Sequence, residues 1–192
     1  MTELYARKID EVFSQLVMDL PDLAENDRVP AWATMAFMPT AKERNEISLY
    51  RLASAEDLHA VAAAVEVKRD QSDLRATHWL VVEVQSLDEI KVDFSSALGD
   101  TTNSRVNELH LNAIVPDASI AEAIARVFLS GDAKIVEKKQ ANAQLELSVR
   151  ANEFQFCAPD VGSAKAFPYR HIPVWIARGW ANASGAPIQE PA

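Results

Sequence analysis

Along residues 3–20, apolar side chains recur every three or four positions: Tyr5, Ile9, Val12, Phe13, Leu16, Val17 and Leu20. That spacing predicts an amphipathic N-terminal helix, with Lys8, Glu11, Gln15 and Asp19 on its other face. Thr2 is placed to cap its start, and Pro21 falls just past its end. The polar, proline-bounded segment 21–30 reads as a loop. The apolar run 31–38, closed by Pro39, reads as a strand.

From residue 46 the pattern becomes strand, helix, strand, strand. Residues 47–53 alternate as a strand, and Ser54 is placed to cap a helix, with Asp57 at its third position. Leu58, Val61, Ala62 and Val65 form the apolar stripe of that helix. Residues 78–84 are apolar on both faces, as a central strand would be. In 89–94, Ile90, Val92 and Phe94 alternate with Lys91 and Asp93, the signature of a half-buried strand. The polar stretch 95–105 is the best internal break in the chain.

A second unit then repeats the order. Leu109, Leu111 and Ala113 alternate with Glu108, His110 and Asn112 as far as Pro116. Ser119 and Glu122 have capping-box spacing before a helix striped by Ile120, Ile124, Val127 and Phe128 and ended by Gly131. Residues 133–139 read as a charged strand edge. Residues 144–151 alternate through Leu145, Leu147 and Val149, and 153–157 continue through Phe154 and Phe156. Segments 46–94 and 106–157 therefore share a β-α-β-β pattern. Their likeness is one of pattern and not of sequence, so duplication and ordinary α+β order both remain open.

The expected fold class is α+β: a mostly antiparallel sheet with helices packed on one face, plus the N-terminal amphipathic helix. One domain is expected over 1–157. Residues 158–192 are rich in Pro, Gly and Ala and read as an irregular extension carrying Phe167, Tyr169, Trp175 and Trp180, with disorder expected at its end.

The chain's 192 residues, 48% hydrophobic and 24% charged, suffice for a core without a metal or disulfide staple. The single cysteine, Cys157, excludes an internal disulfide framework and fits a reducing compartment. The N-terminus carries acids and no uninterrupted apolar core, so no signal peptide is expected. No run approaches the ~18 apolar residues of a membrane span. These features predict a cytoplasmic protein away from membranes. The net charge of −9 disfavours nucleic acid and favours basic partners.

Motifs for chemistry are sparse. There is no glycine-rich phosphate loop, no Gly-x-Ser-x-Gly elbow, and no His-x-x-x-His or Cys-x-x-Cys ligand spacing, so neither cofactor nor metal is expected. Glu108 and His110 are expected on one side of a strand with Asn112 next in line, an arrangement open to acid/base work. His171 is a further candidate, as a base that the fold would bring close to Cys157, although a buried, inert thiol is the preferred reading of that cysteine. His59 and His78 stand apart. For binding, the candidates are the aromatics Tyr169, Trp175 and Trp180 and the acidic cluster Asp22, Glu25 and Asp27. That cluster lacks the spacing and glycine of a calcium loop.

Three readings follow. The first is a non-enzymatic acidic binding protein, such as an inhibitor, an immunity-type or anti-defence protein, or an accessory subunit, that engages a basic macromolecule. The second is a small enzyme or ligand-binding domain, with a pocket lined by Trp32, Trp79 and Phe94 and active residues drawn from Glu108, His110, Asp93 and His171. The third is a self-assembling, homo-oligomeric subunit. The first is preferred, and the second requires those side chains to converge in one concavity.

Overall fold

The computed structural model describes residues 3–20, 27–40, 45–68, 74–96, 101, 103–151, 153 and 177–179. Two compact units are distinguished. The first comprises Met1–Ala55, Thr77–Leu98 and Leu109–Ile135, and the second Glu56–Ala76, Gly99–Glu108 and Val136–Ala192.

The first unit is built on a six-stranded sheet: β1 (Leu4–Ile9), β2 (Glu46–Leu52), β3 (Thr77–Glu83), β4 (Phe94–Ser96), β5 (His110–Ile114) and β6 (Asp132–Val136). The order is β4-β5-β2-β1-β3-β6, and β1–β2, β1–β3, β2–β5 and β4–β5 pair antiparallel. Helices α1 (Glu11–Met18), α2 (Ala31–Ala36), α4 (Val84–Glu89) and α6 (Ala118–Leu129) belong to this unit. Phe13, Phe37, Leu87, Ile124 and Phe128 from its helical segments meet Tyr5, Ile47, Leu49, Leu80, Val82 and Ala113 of the sheet in one core. The fold is α+β, with helices on this sheet face as the alternation predicts. Ala6, Leu52, Trp79 and Val81, which alternate to the other face, are buried too. Burial on both sides explains why β3 reads as an apolar run.

The N-terminal amphipathic helix exists, but only over 11–18. Residues 4–9 form β1, which lies between β2 and β3. Tyr5 and Ala6 are adjacent in sequence and both buried, a pattern that suits a two-sided central strand and not a helix stripe. Asp10 divides the two elements: its carboxylate accepts from the Phe13 backbone N–H at 2.7 Å and caps α1.

Further corrections follow the same physics. Residues 31–36 are helix α2, which starts after Pro30 and buries Ala33 and then Phe37 one turn on. Residues 84–89 are helix α4, so β4 is confined to 94–96. Asp117, not Ser119, caps α6. Its carboxylate accepts from the backbone N–H groups of Ser119 and Ile120 at 2.9 and 3.1 Å, and from the Ser119 hydroxyl at 2.7 Å. β6 ends at Val136, and Lys138 and Lys139 open a helix instead of extending an edge strand.

The second unit contains α3 (Ala55–Lys68, from Glu56), α5 (Ser104–Leu109, to Glu108) and α7 (Lys138–Arg150). The expected strand at 144–151 is thus helical. Its buried positions are Ala141, Leu145, Ser148 and Val149, a helical spacing once small residues are counted as core. Glu137 and Gln140 close a capping box at its start. In α3 the predicted stripe is widened by buried Ala60, Ala63, Ala64, Glu66 and Val67. The proposed repeat is not shown. α3 belongs to the second unit and α6 to the first, and the fourth element is the short strand β4 in one copy and the helix α7 in the other.

Candidate functional site

Among the described residues of the first unit, a polar constellation lies on the β4–β5–β2 side of the sheet. His110 and Asn112 alternate to the same face of β5. Across the ladder, Tyr50 opposes His110, while Ser48 and Ser95 flank Asn112 from either side. Glu46, the first residue of β2, accepts a 2.7 Å hydrogen bond from Asn112 Nδ2 and one of 3.1 Å from Ser95 Oγ. Two neutral donors therefore hold one half-buried carboxylate in place, which fixes its rotamer in advance of any ligand. The His110 ring meets Tyr50 edge-on at 5.4 Å, and Tyr50 meets Trp79 edge-on at 6.0 Å. Trp79 is fully buried, and its indole N–H donates to Thr77 Oγ1 at 2.8 Å.

The carboxylate held on this face of the sheet is thus Glu46, bonded to Asn112 and opposite Ile114, while His110 stands opposite Tyr50. Glu108 lies in α5, and His110 is the first residue of β5, so the expected relation along one strand fails. Asn103 caps the start of α5, its Oδ1 accepting from the Val106 N–H at 3.0 Å. Glu46 lies 66 residues from Asn112, a separation that no local spacing rule reaches.

The three aromatics expected around one pocket are divided. Phe94 stacks on Tyr5 at 5.1 Å, and Trp32 meets Phe13 edge-on at 5.0 Å, both on the helix-covered face. Trp79 lies on the opposite face, and Asp93 is exposed just before β4. Among the described residues, this set does not converge.

A second polar network belongs to the second unit. Arg105 donates to Asp57 Oδ1 at 2.7 Å and to Glu153 Oε1 at 3.5 Å, and Asn103 Nδ2 reaches Glu153 Oε2 at 3.3 Å. Thr101 and Asn107 are tied by three hydrogen bonds of 2.6–2.9 Å. Asp57 is nearly buried, so its partnership with a guanidinium offsets its desolvation. These groups join α3, α5 and the end of α7 and satisfy one another, which is the work of a structural clasp.

Of the binding candidates, Asp27 is exposed, and its backbone carbonyl accepts from Arg126 at 2.5 Å. Asp22, Glu25, Cys157, Tyr169, His171, Trp175 and Trp180 lie outside the described residues. No cluster of three metal-ligating side chains occurs among the described residues, and no described helix is long and apolar enough to cross a membrane. What sequence reasoning missed is the outer side of α1. Val12 is 72% exposed and Leu16 43%, while Phe13 on the same helix is buried. Asp10 was the available signal: a helix starting there turns Phe13 and Val17 inward and Val12 and Leu16 outward.

The chain matches no protein-family model, no curated protein and no solved structure in the comparisons made.

Proposed function

We propose that this chain is a non-enzymatic acidic binding protein, of the inhibitor, immunity or accessory-subunit kind, that engages a basic macromolecular partner. The observation that carries the reading is the outward apolar side of α1. Val12 and Leu16 lie one turn apart on one side of this short helix, both solvent-exposed. Single exposed apolar residues are ordinary, but two of them one turn apart on the same side of a helix suit an anchor. Glu11 and Asp19 border this patch, and the chain as a whole carries −9. An apolar centre with an acidic rim complements a basic amphipathic segment, and the charge speeds encounter. Among the described residues, Trp32 and Phe94 lie on the sheet face opposite Trp79, which favours this reading over an enzyme with those three aromatics lining one pocket.

The test is affinity capture by the tagged full chain at low and high salt, read by mass spectrometry, beside a Val12→Asp/Leu16→Asp double variant. A basic partner held at low salt, released at high salt and lost in the variant is the expected result. Retention by the variant, or indifference to salt, overturns it. Sedimentation of the wild type as a dimer that the double variant dissolves would assign the same surface to self-assembly instead.

A further inference from the structure

We infer that a cavity in the first unit is a binding site for an alkylammonium or guanidinium group. The cavity measures about 390 Å³, within the range of small-ligand sites. It lies where the start of β1, the end of β3 and the end of α6 come together. Leu4, Val81, Val82 and Val127 supply apolar wall, and Glu83, Ser86, Ser130 and Asp132 supply oxygen atoms. A cation on a short aliphatic stem matches both halves, the stem against the valines and the head against the carboxylates.

The charge around the cavity favours a cation. Glu83 ends β3 with its side chain exposed, and it makes no capping hydrogen bond to α4, which it precedes. The C-terminus of α6 reaches the cavity through Val127, Ser130 and Gly131, and a helix C-terminus carries partial negative charge. Arg126, the basic residue of that last turn, donates to the Asp27 carbonyl. Lys134 lines the cavity but pairs with Asp132 at 2.9 Å, both side chains largely exposed. Such a pair exchanges readily with a competing cation.

The cavity is shaped by a close approach. A Cβ on Gly131 would meet Val82 Cγ1 at 2.4 Å and the Val81 carbonyl oxygen at 2.5 Å, so glycine lets the end of α6 lie directly on β3. The site does not require the α1 surface to bind anything, and each can fail alone. Its ligand chemistry has two sources: a free diamine, or a lysine or arginine side chain presented by a polypeptide.

The experiment is calorimetric titration of the full chain with 1,5-diaminopentane, with the capped tripeptide Ala-Arg-Ala, and with 1-pentanol as the uncharged control. Glu83→Gln is compared with Glu89→Gln, which makes the same charge change at an exposed α4 residue outside the cavity. Saturable binding of a cation, weakened about tenfold by Glu83→Gln and unchanged by Glu89→Gln, is expected. Saturation by the tripeptide alone assigns a polypeptide side chain, and by the diamine alone a free amine. The inference is overturned if neither cation saturates, if 1-pentanol binds as well, or if Glu83→Gln, shown folded by circular dichroism, binds like wild type.

Discussion

The guanidinium of Arg7, on β1, lies 5.3 Å from the centre of the Phe37 ring, just past the end of α2. The same group donates to the Ala36 carbonyl at 3.0 Å and to the Ser48 carbonyl at 3.1 Å. One cation thus satisfies the last carbonyl of α2, a strand carbonyl and an aromatic face, and it pins α2 to the sheet. Replacing Arg7 by Ala is expected to cost about 2 kcal/mol, from charged hydrogen bonds and the ring contact together. Arg7→Lys keeps the charge but cannot fork to two carbonyls, so it should recover less than half of that. Chemical denaturation of the three proteins checks the order.

How far the fold was legible depends on whether each element's competitors were local. β2, β3 and α6 were readable because their patterns are long and bounded by turn or cap residues. β1 was not. Tyr5 and Ile9 fall at helical spacing with Val12 and Phe13, and only pairing with β2 and β3 makes residues 4–9 extended. α7 was lost for a different reason. Leu145, Leu147 and Val149 alternate, but the helix counts Ala141 and Ser148 as core, residues too small to register in an apolar pattern. At the candidate site, the shared face of His110 and Asn112 was legible from alternation within β5. The partner carboxylate Glu46 comes from β2, and strand order is not written in either segment.

Gly131 offers a second test. Adding a methyl group there forces it against Val82 Cγ1 and the Val81 carbonyl, and backbone has little room to give. Gly131→Ala is expected to destabilise the chain by about 1–3 kcal/mol, the usual range for overpacking. It should also weaken diamine binding, since the end of α6 must move off β3. Thermal denaturation and calorimetry on the same sample read both effects.

Asp117 gives a pH test. The Ser119 hydroxyl and the backbone N–H groups of Ile120 and Ser119 hold its carboxylate below its ordinary range. A depressed folded value means that the cap's contribution is complete above the unfolded pKa of about 3.9. It is lost as pH falls through the lower folded value. Asp117→Asn retains a capping oxygen but cannot titrate. Between neutral pH and acid, the difference in stability between wild type and Asp117→Asn is expected to shrink, the wild type declining the more steeply. A gap independent of pH would assign the cap no role in acid unfolding.

The sharpest test of residues 138–150 compares two leucines that a strand would treat alike. In a strand, Leu145 and Leu147 would share one face and carry similar weight. In α7 they lie about 200° apart, and Leu145 is buried while Leu147 is 60% exposed. Leu145→Ala is therefore expected to cost about 2–4 kcal/mol through lost burial and the cavity left behind. Leu147→Ala should stay within about 0.5 kcal/mol of wild type. Urea denaturation of both variants decides it: equal losses would return this segment to a strand, and a wide gap fixes the helix and its buried side.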